Sequence, residues 1–328
     1  MSVLVTGGAG YIGSHAVIDL LRAGEKVVVV DDLSTGFDWA IQDAAVLHTG
    51  DVGDSALIDR VIAEYGVEAV IHFAGSIVVP ESVEDPLKYY SNNTAKSRTL
   101  IERCVAGRVK HFIFSSTAAV YGMPEASPVS EDATLRPMSP YGRSKLMTEW
   151  MLRDVAEAHS MTFAALRYFN VAGGDPEGRV GQSTANATHL IKVACQTALG
   201  QRPFIEVFGD DYPTPDGTCI RDYIHVSDLA AAHTAALRYL RGGGESLIAN
   251  CGYGHGFSVR EVLGAVERVA GHDFDVRQAP RRAGDPASIV ADPARIKHTL
   301  GWVPDYDDLD TIIAHAFAWE KRLAERNR

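Results

Sequence analysis

Short runs of β-branched and apolar residues alternate with amphipathic helical patterns along the first half of the chain. The runs that predict strands are residues 3–6, 26–30, 69–73, 111–115 and 162–167, with a weaker one at 46–48. The segments with helical spacing are residues 12–22, 54–66 and 85–106. Strands that are apolar throughout and separated by helices are typical of a parallel sheet covered on both faces. The pattern therefore predicts an α/β fold with a Rossmann-like, doubly wound parallel sheet.

The second half of the chain is less regular and predicts a smaller lobe. Residues 173–187 and 209–218 are rich in turn-forming residues, and we expect loops there. The expected helices cover residues 188–199, 258–270 and 308 onwards. The second of these helices begins with a capping box, since Ser258 is followed three residues later by Glu261.

The composition and charge of the chain argue against several classes of function. The chain has 328 residues and a formal net charge of −11, which argues against a general binder of nucleic acid or membrane surfaces. A single phosphate pocket remains compatible with that charge. The four cysteines are far apart and form no CxxC motif, so we expect no disulfide framework, no metal site and a cytoplasmic location. No apolar run approaches membrane-spanning length, and residues 3–5 lead at once into a glycine-rich turn rather than a signal peptide.

The glycine-rich turn lies between the first predicted strand and the first predicted helix. Its glycines, Gly7, Gly10 and Gly13, follow the spacing GxxGxxG, with Tyr11 and Ile12 between the last two. Glycines let a pyrophosphate approach the backbone, and the helix N-terminus offers free N–H groups. This context predicts a dinucleotide site, and the alternative is a βα turn without a ligand.

Acidic residues after the next two strands predict which dinucleotide binds. Asp31 ends the second strand, where a carboxylate accepts hydrogen bonds from the adenosine ribose and repels a 2′-phosphate. NAD is therefore favoured over NADP, and the adjacent Asp32 could share this role. Asp51 and Val52 follow the weak third strand, where Asp51 could reach the adenine amino group. Alternatively, Asp51 only caps its own turn.

A second motif predicts redox acid–base chemistry. Tyr141 and Lys145 are four residues apart behind Ser139-Pro140, so phenol and ammonium lie on one helical face. A nearby ammonium and a positive nicotinamide both favour the phenolate form of a tyrosine. Thr117 follows the strand at 111–115, at the edge of the sheet where ligands bind.

These motifs give the chain a resemblance to the extended short-chain dehydrogenases/reductases, and within them to the UDP-glucose 4-epimerase family. The resemblance rests on TGGAGYIGSH at 6–15, FAG at 73–75, FSSTAAVYG at 114–122, YGRSK at 141–145, RYFN at 167–170, GDDYPTPDGTCIRDYIHV at 209–226 and RRAGD at 281–285. It implies an NAD-dependent isomerase that interconverts UDP-glucose and UDP-galactose. In that family hydride passes from C4 to NAD and back through a transient 4-keto sugar. Tyr141 would be the acid/base, with Thr117 and Lys145 beside it.

The resemblance also assigns binding residues to both ligands. The implied contacts to NAD, besides those already named, are Phe73, Ala74, Gly75, Asn93, Ser115 and Tyr168. The implied contacts to the UDP-sugar are Asn170, His189, Leu190, Val207, Phe208, Arg221, Arg282, Asp285 and Ile289. For Arg221, a salt bridge with neighbouring Asp222 is the alternative. The implied domains are an NAD-binding unit at 1–172, to which 220–250 returns, and a UDP-sugar-binding unit at 173–219 and 251–328.

Two positions depart from the family pattern. Ser76-Ile77 stands where many relatives have Leu-Lys, which removes a cation near the cofactor and predicts weaker NAD retention. Ile289 stands where the family borders the sugar's 2-substituent, and its intermediate size leaves N-acetylated substrates open.

Other functions remain open from the residues alone. A UDP-sugar 4-epimerase acting on N-acetylhexosamine or hexuronate substrates is one alternative. A nucleotide-sugar 4,6-dehydratase needs an acid and a base directly after the active-site threonine, where this chain has Ala118 and Ala119. A non-catalytic NAD binder would not need the pair Tyr141 and Lys145.

The resemblance also implies a homodimer formed through the helices at 86–106 and 141–159.

Overall fold

The computed structural model describes residues 2–185, 187–282 and 284–326. Its strands are β1 (Ser2–Thr6), β2 (Val27–Asp31), β3 (Val46–Thr49), β4 (Val67–His72), β5 (His111–Thr117), β6 (Thr162–Tyr168), β7 (Asn170–Ala172), β8 (Ile205–Phe208), β9 (Ile220–Arg221), β10 (Tyr223–His225), β11 (Leu247–Cys251), β12 (Phe257–Ser258), β13 (Val276–Ala279) and β14 (Ser288–Ile289). Its α-helices are α1 (Tyr11–Arg22), α2 (Ser55–Tyr65), α3 (Val79–Glu84), α4 (Pro86–Tyr89), α5 (Lys96–Ala106), α6 (Pro140–Ala158), α7 (Leu190–Ala198), α8 (Val226–Arg241), α9 (Val259–Ala270), α10 (Ala294–Leu300) and α11 (Leu309–Arg326).

Seven of these strands form one parallel sheet in the order β3-β2-β1-β4-β5-β6-β11. β1 pairs with β2 on one side and with β4 on the other, so the strand order reverses there. Ligands of open α/β sheets bind beyond the carboxyl ends of the strands at such a reversal. The glycine-rich turn after β1 and residues 73–75 after β4 meet at this point.

Helices cover both faces of the central sheet. On one face α2, α5 and α6 pack over Leu4, Val30 and Phe112. On the other face α1 and α8 pack over Val3 and Val5. Successive strand residues point to opposite faces, so each strand contributes side chains to both cores. The predicted Rossmann-like, doubly wound α/β fold is therefore confirmed.

The second half of the chain builds a smaller region of helices and short strands. α7, α9 and α11 pack together around an apolar core that includes Ile191, Val262 and Ile312. The remaining strands form the pairs β7–β10 and β8–β13 and the three-stranded sheet β12-β9-β14. β11 and α8 join the larger region, where β11 pairs with β6 and α8 packs on α1. The predicted division into two domains stays a prediction.

Capping residues fix the helix boundaries that the sequence predicts. The Asp54 side chain accepts hydrogen bonds from the backbone N–H groups of Ala56 and Leu57, and α2 ends at Gly66 in the left-handed conformation. The capping box is also present, because Ser258 Oγ accepts from Glu261 N and Glu261 accepts from Ser258 N.

Three features differ from the sequence-based expectations. The expected helix over 85–106 contains a π-helical turn at Tyr90–Ala95 between α4 and α5. α7 begins at Leu190 rather than 188, because His189 has an extended backbone as its N-cap residue. The hydrophobic pattern of the sequence does not predict α8 or β11. Within the described residues, no helix has the length and apolar character required to span a membrane.

Candidate active site

The glycine-rich turn leaves no room for side chains at two of its positions. Gly7 has a φ of 73°, and a Cβ there would lie 2.5 Å from the backbone nitrogen of Ala74. A Cβ on Gly13 would lie 2.1 Å from the carbonyl oxygen of Gly7. α1 begins at this turn with no side-chain cap and no acidic residue in its first turn. The open backbone and the uncompensated helix N-terminus fit a dinucleotide pyrophosphate.

Asp31 and Asp32 have different surroundings. Asp31 is buried at the end of β2, where its carboxylate accepts hydrogen bonds of 2.9 Å from the backbone N–H groups of Ala9 and Leu33. Burial raises the pKa of Asp31, and these two hydrogen bonds oppose that shift. Asp32 is exposed and accepts from Ser34 in its own turn. Asp31 is thus fixed directly under the glycine-rich turn, and its contact with ribose stays a prediction.

Asp51 makes the local contacts that its alternative interpretation predicts. Its carboxylate accepts from Gly53 N at 2.7 Å and pairs with Lys96 Nζ at 2.6 Å. Partial burial raises the pKa of Asp51, but the hydrogen bonds from Lys96 and Gly53 outweigh it and lower the pKa overall. Lys96 comes from α5, and the sequence offered no signal for this partner. Val52 is buried beside it.

The segment after β4 is held against α6 by one buried amide. Phe73 N and Ala74 N both donate to the carbonyl oxygen of Thr6, which ties the segment to β1. Asn93 Oδ1 accepts from Ser76 N at 2.7 Å. Asn93 Nδ2 donates to Ser76 O at 2.9 Å and to Ser144 Oγ at 3.1 Å. Asn93 lies in the π-helical turn and therefore shapes the segment that contains Phe73, Ala74 and Gly75.

Ser76 and Ile77 occupy the position of the missing family lysine. The backbone of Ser76 is engaged by Asn93, and its hydroxyl accepts from Asn92 Nδ2 at 2.9 Å. The Ile77 side chain is half exposed. The segment is ordered by uncharged contacts, and weaker NAD retention stays a prediction.

Tyr141, Lys145 and Thr117 meet at the carboxyl end of β5. α6 begins behind Ser139, whose hydroxyl accepts from Gly142 N, and Pro140 takes the first helical position. Tyr141 is buried. Burial raises the pKa of Tyr141, and the neighbouring Thr117 hydroxyl opposes that shift by stabilising the phenolate. Tyr141 is therefore a neutral phenol at neutral pH in the protein alone.

Lys145 is buried next to the segment after β4. Lys145 Nζ donates to the carbonyl oxygen of Ser115 at 3.0 Å and lies 5.0 Å from the centre of the Phe114 ring. A Cβ placed on Gly75 would lie 3.6 Å from Nζ, so the ammonium lies close to Gly75. Burial lowers the pKa of Lys145 to about 8. The ammonium is thus charged at neutral pH and poised to donate to a ligand beside Gly75.

An aromatic group lies on the other face of the sheet from α6. The Tyr168 phenol is hydrogen-bonded to the Ser115 hydroxyl. The ring of His233, from α8, lies 4.7 Å from Phe73 and 6.2 Å from Tyr168 between ring centres. His233 links the predicted NAD contacts Phe73 and Tyr168. No local pattern indicates this histidine, because the hydrophobic pattern does not predict α8.

Five predicted UDP-sugar contacts lie on β8, β9 and the loop before β14. Arg221 Nη2 lies 3.5 Å from Asp285 Oδ1, and the Arg282 guanidinium lies 3.7 Å from the centre of the Phe208 ring. Val207 is buried beside Phe208 in β8. The guanidinium groups and Asp285 could thus bind a diphosphate and a ribose.

The alternative salt bridge between Arg221 and Asp222 is wrong. Neighbouring residues of an extended chain point in opposite directions, which separates the two side chains. Arg221 Nη1 instead donates to the carbonyl oxygens of Ile220 and Pro286. Asp222 is buried and accepts from the backbone of Tyr253, and of Gly254 and Ala291 beyond it.

A cavity between β7, α7 and α11 is lined by three of the remaining substrate candidates, Asn170, His189 and Leu190. Asn170 N donates to Asp222 O at 3.0 Å, and His189 Nδ1 lies 2.7 Å from Gln182 Nε2. The wall also includes a buried ion pair between Lys192 and Glu320, which the sequence did not reveal.

Ile289 lies between the two ligand regions. It pairs with Arg221 through the register of β14 and β9. Its buried side chain belongs to the same apolar cluster as Ala118 and Val120, in the turn after Thr117. Ile289 therefore connects the strand of Arg221 with the turn after Thr117, while the ligand contacts of the individual residues stay predictions.

Comparisons with known proteins identify the family. A family model described as "NAD dependent epimerase/dehydratase family" matches residues 3–252. A UDP-glucose 4-epimerase of Azospirillum brasilense is 58% identical over 98% of this chain and 93% of its own length. A crystal structure of UDP-glucose 4-epimerase from Brucella ovis in complex with NAD has a TM-score of 0.95 and 46% identity, with 97% of each chain covered. One from Bifidobacterium longum in complex with NAD+ and UDP has a TM-score of 0.93 and 40% identity, with 98% of each chain covered.

These matches confirm the predicted resemblance, the isomerase class and NAD as the cofactor of the family. The glycine-rich turn, the buried Asp31 and the Tyr141–Lys145 pair give the structural reasons for the match. The chain therefore belongs to the NAD dependent epimerase/dehydratase family and, within it, to the UDP-glucose 4-epimerases.

Proposed function

We propose that this protein interconverts UDP-glucose and UDP-galactose by inverting C4 of the sugar, with NAD bound throughout. The observation that carries the proposal is the cluster of Tyr141, Thr117 and Lys145 at the sheet edge beside the glycine-rich turn. It combines a proton-transfer group, a hydroxyl and a cation at the point where the strand order reverses. The family membership supports the same activity.

The proposed chemistry assigns one role to each of these side chains. Bound NAD supplies the reversible hydride acceptor that inversion of a carbinol carbon requires. Tyr141, ionised when the positive nicotinamide is bound beside it, accepts the proton of the sugar 4-hydroxyl and returns it once C4 has regained its hydride on the opposite face. The Thr117 hydroxyl holds the phenol and the sugar oxygen together. The Lys145 ammonium stabilises the phenolate form and donates to the ligand beside Gly75.

The region around β8, β9 and the loop before β14 would bind the nucleotide part of the substrate. Arg221 and Arg282 are suited to diphosphate oxygens because each guanidinium presents several N–H donors in one plane. Asp285 would accept hydrogen bonds from the uridine ribose, and Phe208 would pack against uracil. Asn170 and the start of α7, at His189 and Leu190, would contact the diphosphate from the cavity side.

One observation weighs against a dehydratase, and another bears on the substituent at C2 of the sugar. Ala118 and Ala119 follow Thr117, and neither can transfer a proton. Ile289 packs against this same turn, so a substituent at C2 of the sugar would meet a branched apolar side chain. The preferred substrates are accordingly the two unsubstituted UDP-hexoses.

A substrate panel tests the proposal. Purified protein, without added reductant, is incubated with UDP-glucose, UDP-galactose, their N-acetyl forms and UDP-glucuronate, and the products are separated by chromatography. We expect rapid interconversion of UDP-glucose and UDP-galactose and slower turnover of the N-acetyl forms. A 4-keto-6-deoxy product would instead support a dehydratase, and no conversion of either hexose would contradict the proposal.

Assembly and location are part of the same proposal. Trp150 is half exposed on α6, and Met151 is partly buried beside it, which supports pairing of α5 and α6 with a second copy. Light scattering should give twice the mass of the chain, and Trp150→Lys should give the mass of one. The cysteines are free, and three of the four are buried, which supports a reducing cytoplasm.

A further inference from the structure

A fully buried ion pair lies directly beneath the proposed catalytic residues. Arg167 Nε donates to Glu149 Oε1 at 2.9 Å, and Arg167 Nη2 donates to Glu149 Oε2 at 2.6 Å. Both side chains are 2% exposed. Removing two charges from water is costly. A protein in which apolar residues of similar volume replace a buried ion pair is often equally stable. Stability alone is therefore a weak reason for these two residues to be here.

The remaining hydrogen-bonding groups of the pair are bonded to neutral side chains. Ser116 Oγ donates to Glu149 Oε1 at 2.5 Å. Arg167 Nη1 donates to the Tyr121 phenol at 3.0 Å, and this phenol donates to Asn250 Oδ1 at 2.6 Å. Such a network has one geometry in which every member is satisfied, so it resists small displacements of the elements that it joins.

These elements are the ones that hold the proposed catalytic groups. Glu149 is one helical turn beyond Lys145 and two beyond Tyr141 on α6. Ser116 lies between Ser115, whose carbonyl oxygen accepts from Lys145 Nζ, and Thr117. Arg167 is the direct neighbour of Ser116 in the sheet, just as Tyr168 is of Thr117.

Even a small slip of α6 along β5 and β6 would displace the proposed catalytic groups. A slip of α6 by one residue would move it about 1.5 Å along its axis and rotate it by about 100°. A displacement of about 1 Å between reacting groups can lower a rate about a hundredfold. The two parallel hydrogen bonds of the ion pair fix both the height and the rotation of α6 against β5 and β6.

We propose that Glu149 and Arg167 are positioning residues, whose bidentate contact holds the Tyr141 phenol and the Lys145 ammonium at Thr117. This inference rests on the proposed function, because it concerns the rate of the same reaction. The pair touches neither the sugar nor the cofactor. Its removal should lower the rate of the chemical step and leave ligand binding intact.

The best variant removes both charges together. A single apolar substitution would leave the partner's charge buried and unpaired, which destabilises a protein strongly. Glu149→Met with Arg167→Met preserves volume and leaves no unpaired charge. Arg167→Lys is the milder second variant, since it keeps the positive charge but loses the two-pronged contact. Arg241→Met is the matched control, because Arg241 pairs with Glu25 at 2.5 Å and with Glu68 at 2.6 Å, away from the site.

The holoenzymes are compared by kcat, by KM for UDP-galactose, by NAD content and by the rate at which bound nicotinamide is reduced after mixing with UDP-galactose. We expect kcat and the reduction rate to fall about tenfold or more in the double variant and in Arg167→Lys. KM and NAD content should stay within about twofold of the wild type. Arg241→Met should unfold at lower urea concentration with unchanged kcat.

Two results would overturn the inference. One is a folded variant with wild-type kcat per bound NAD, and the other is a fall in kcat that Arg241→Met reproduces, since it would then track stability alone. If the double variant does not fold, the kcat of Arg167→Lys decides. A wild type without turnover contradicts the proposed function, whereas a normal wild type with unaffected variants contradicts only the positioning role.

Discussion

Lys145 Nζ donates a 3.0 Å hydrogen bond to the carbonyl oxygen of Ser115, in a position with almost no exposure to solvent. The ammonium is thus held by a backbone group of β5, next to the side chain that bonds Tyr168. Burial without a carboxylate partner lowers its pKa to about 8, so the charge is maintained at neutral pH against a desolvation cost.

The desolvation cost of the Lys145 ammonium lowers the stability of the folded protein at neutral pH. The pKa is about 8 in the folded protein and about 10.4 in an unfolded chain, so the penalty at neutral pH is about 3 kcal/mol. Between these two pH values the unfolded chain binds more protons than the folded one, and this contribution to stability rises with pH. Above the unfolded pKa the penalty is absent, and below about pH 8 it is complete.

Lys145→Met should therefore be more stable than the wild type at neutral pH and nearly inactive. The difference should shrink at about pH 9.5, because the wild type loses its buried charge. Urea denaturation of both NAD-free proteins at the two pH values measures this. A pH-independent difference, or a less stable variant, would show that the ammonium is not penalised by burial.

Tyr141→Phe removes the proposed acid/base and leaves the ring in place. We expect kcat to fall about a hundredfold or more, with UDP-sugar affinity and NAD content nearly unchanged. Tyr89→Phe is the matched control, because the Tyr89 ring packs edge-on against Tyr141 and its phenol is bonded to the backbone of Val78. An equal loss in both variants would mean that the phenol of Tyr141 acts by packing and not by proton transfer.

The glycine-rich turn permits a comparison of two glycines with similar backbone conformations. Gly7 and Gly24 have φ values of 73° and 82°, but a Cβ on Gly24 would meet no atom within 4 Å. Gly7→Ala should lower NAD content strongly, since its Cβ would collide with the segment after β4. Gly24→Ala should cost about 1–2 kcal/mol of stability and keep NAD. Equal NAD contents, measured by absorbance of the released cofactor, would argue against a pyrophosphate site at Gly7.

Two exposed arginines allow a similar comparison on the nucleotide side. The Arg282 guanidinium lies 3.7 Å from the ring centre of Phe208, and that of Arg277 lies 3.8 Å from that of Phe204. Each substitution by alanine removes one stacking contact, but only Arg282 is proposed to bind the diphosphate. Arg282→Ala should weaken UDP binding about tenfold, while Arg277→Ala leaves it unchanged. Calorimetric titration with UDP distinguishes them, and equal affinities would remove Arg282 from the site.

The sequence predicts well the features that depend on the spacing of residues close together in the chain. GxxGxxG between a strand and a helix, and Tyr141 four residues before Lys145, each fix a local geometry. Six of the seven strands of the central sheet followed from apolar runs, and only β11 did not. The position of Thr117 at the end of β5 followed from the same pattern.

The features that were missed depend on contacts between distant segments. Arg221 pairs with Asp285, 64 residues away, although an acidic residue is its immediate neighbour. His233 reaches Phe73 only because α8 packs against the sheet, and Arg167 reaches Ser116 and Glu149 only because β6 pairs with β5. The π-helical turn at Asn93 has no local signal, since its buried amide is satisfied by Ser76 and Ser144. These contacts depend on how the elements pack in the complete fold, and the spacing of residues along the chain does not identify them.

The central claim is that C4 is inverted by removing its hydrogen and returning the same hydrogen to the opposite face. UDP-galactose labelled with deuterium at C4 tests it most directly, with NMR or mass analysis of the UDP-glucose formed in ordinary water. We expect the product to retain deuterium at C4 and the conversion to need no added reductant. Replacement of the label by solvent hydrogen, or no UDP-glucose at all, would contradict it.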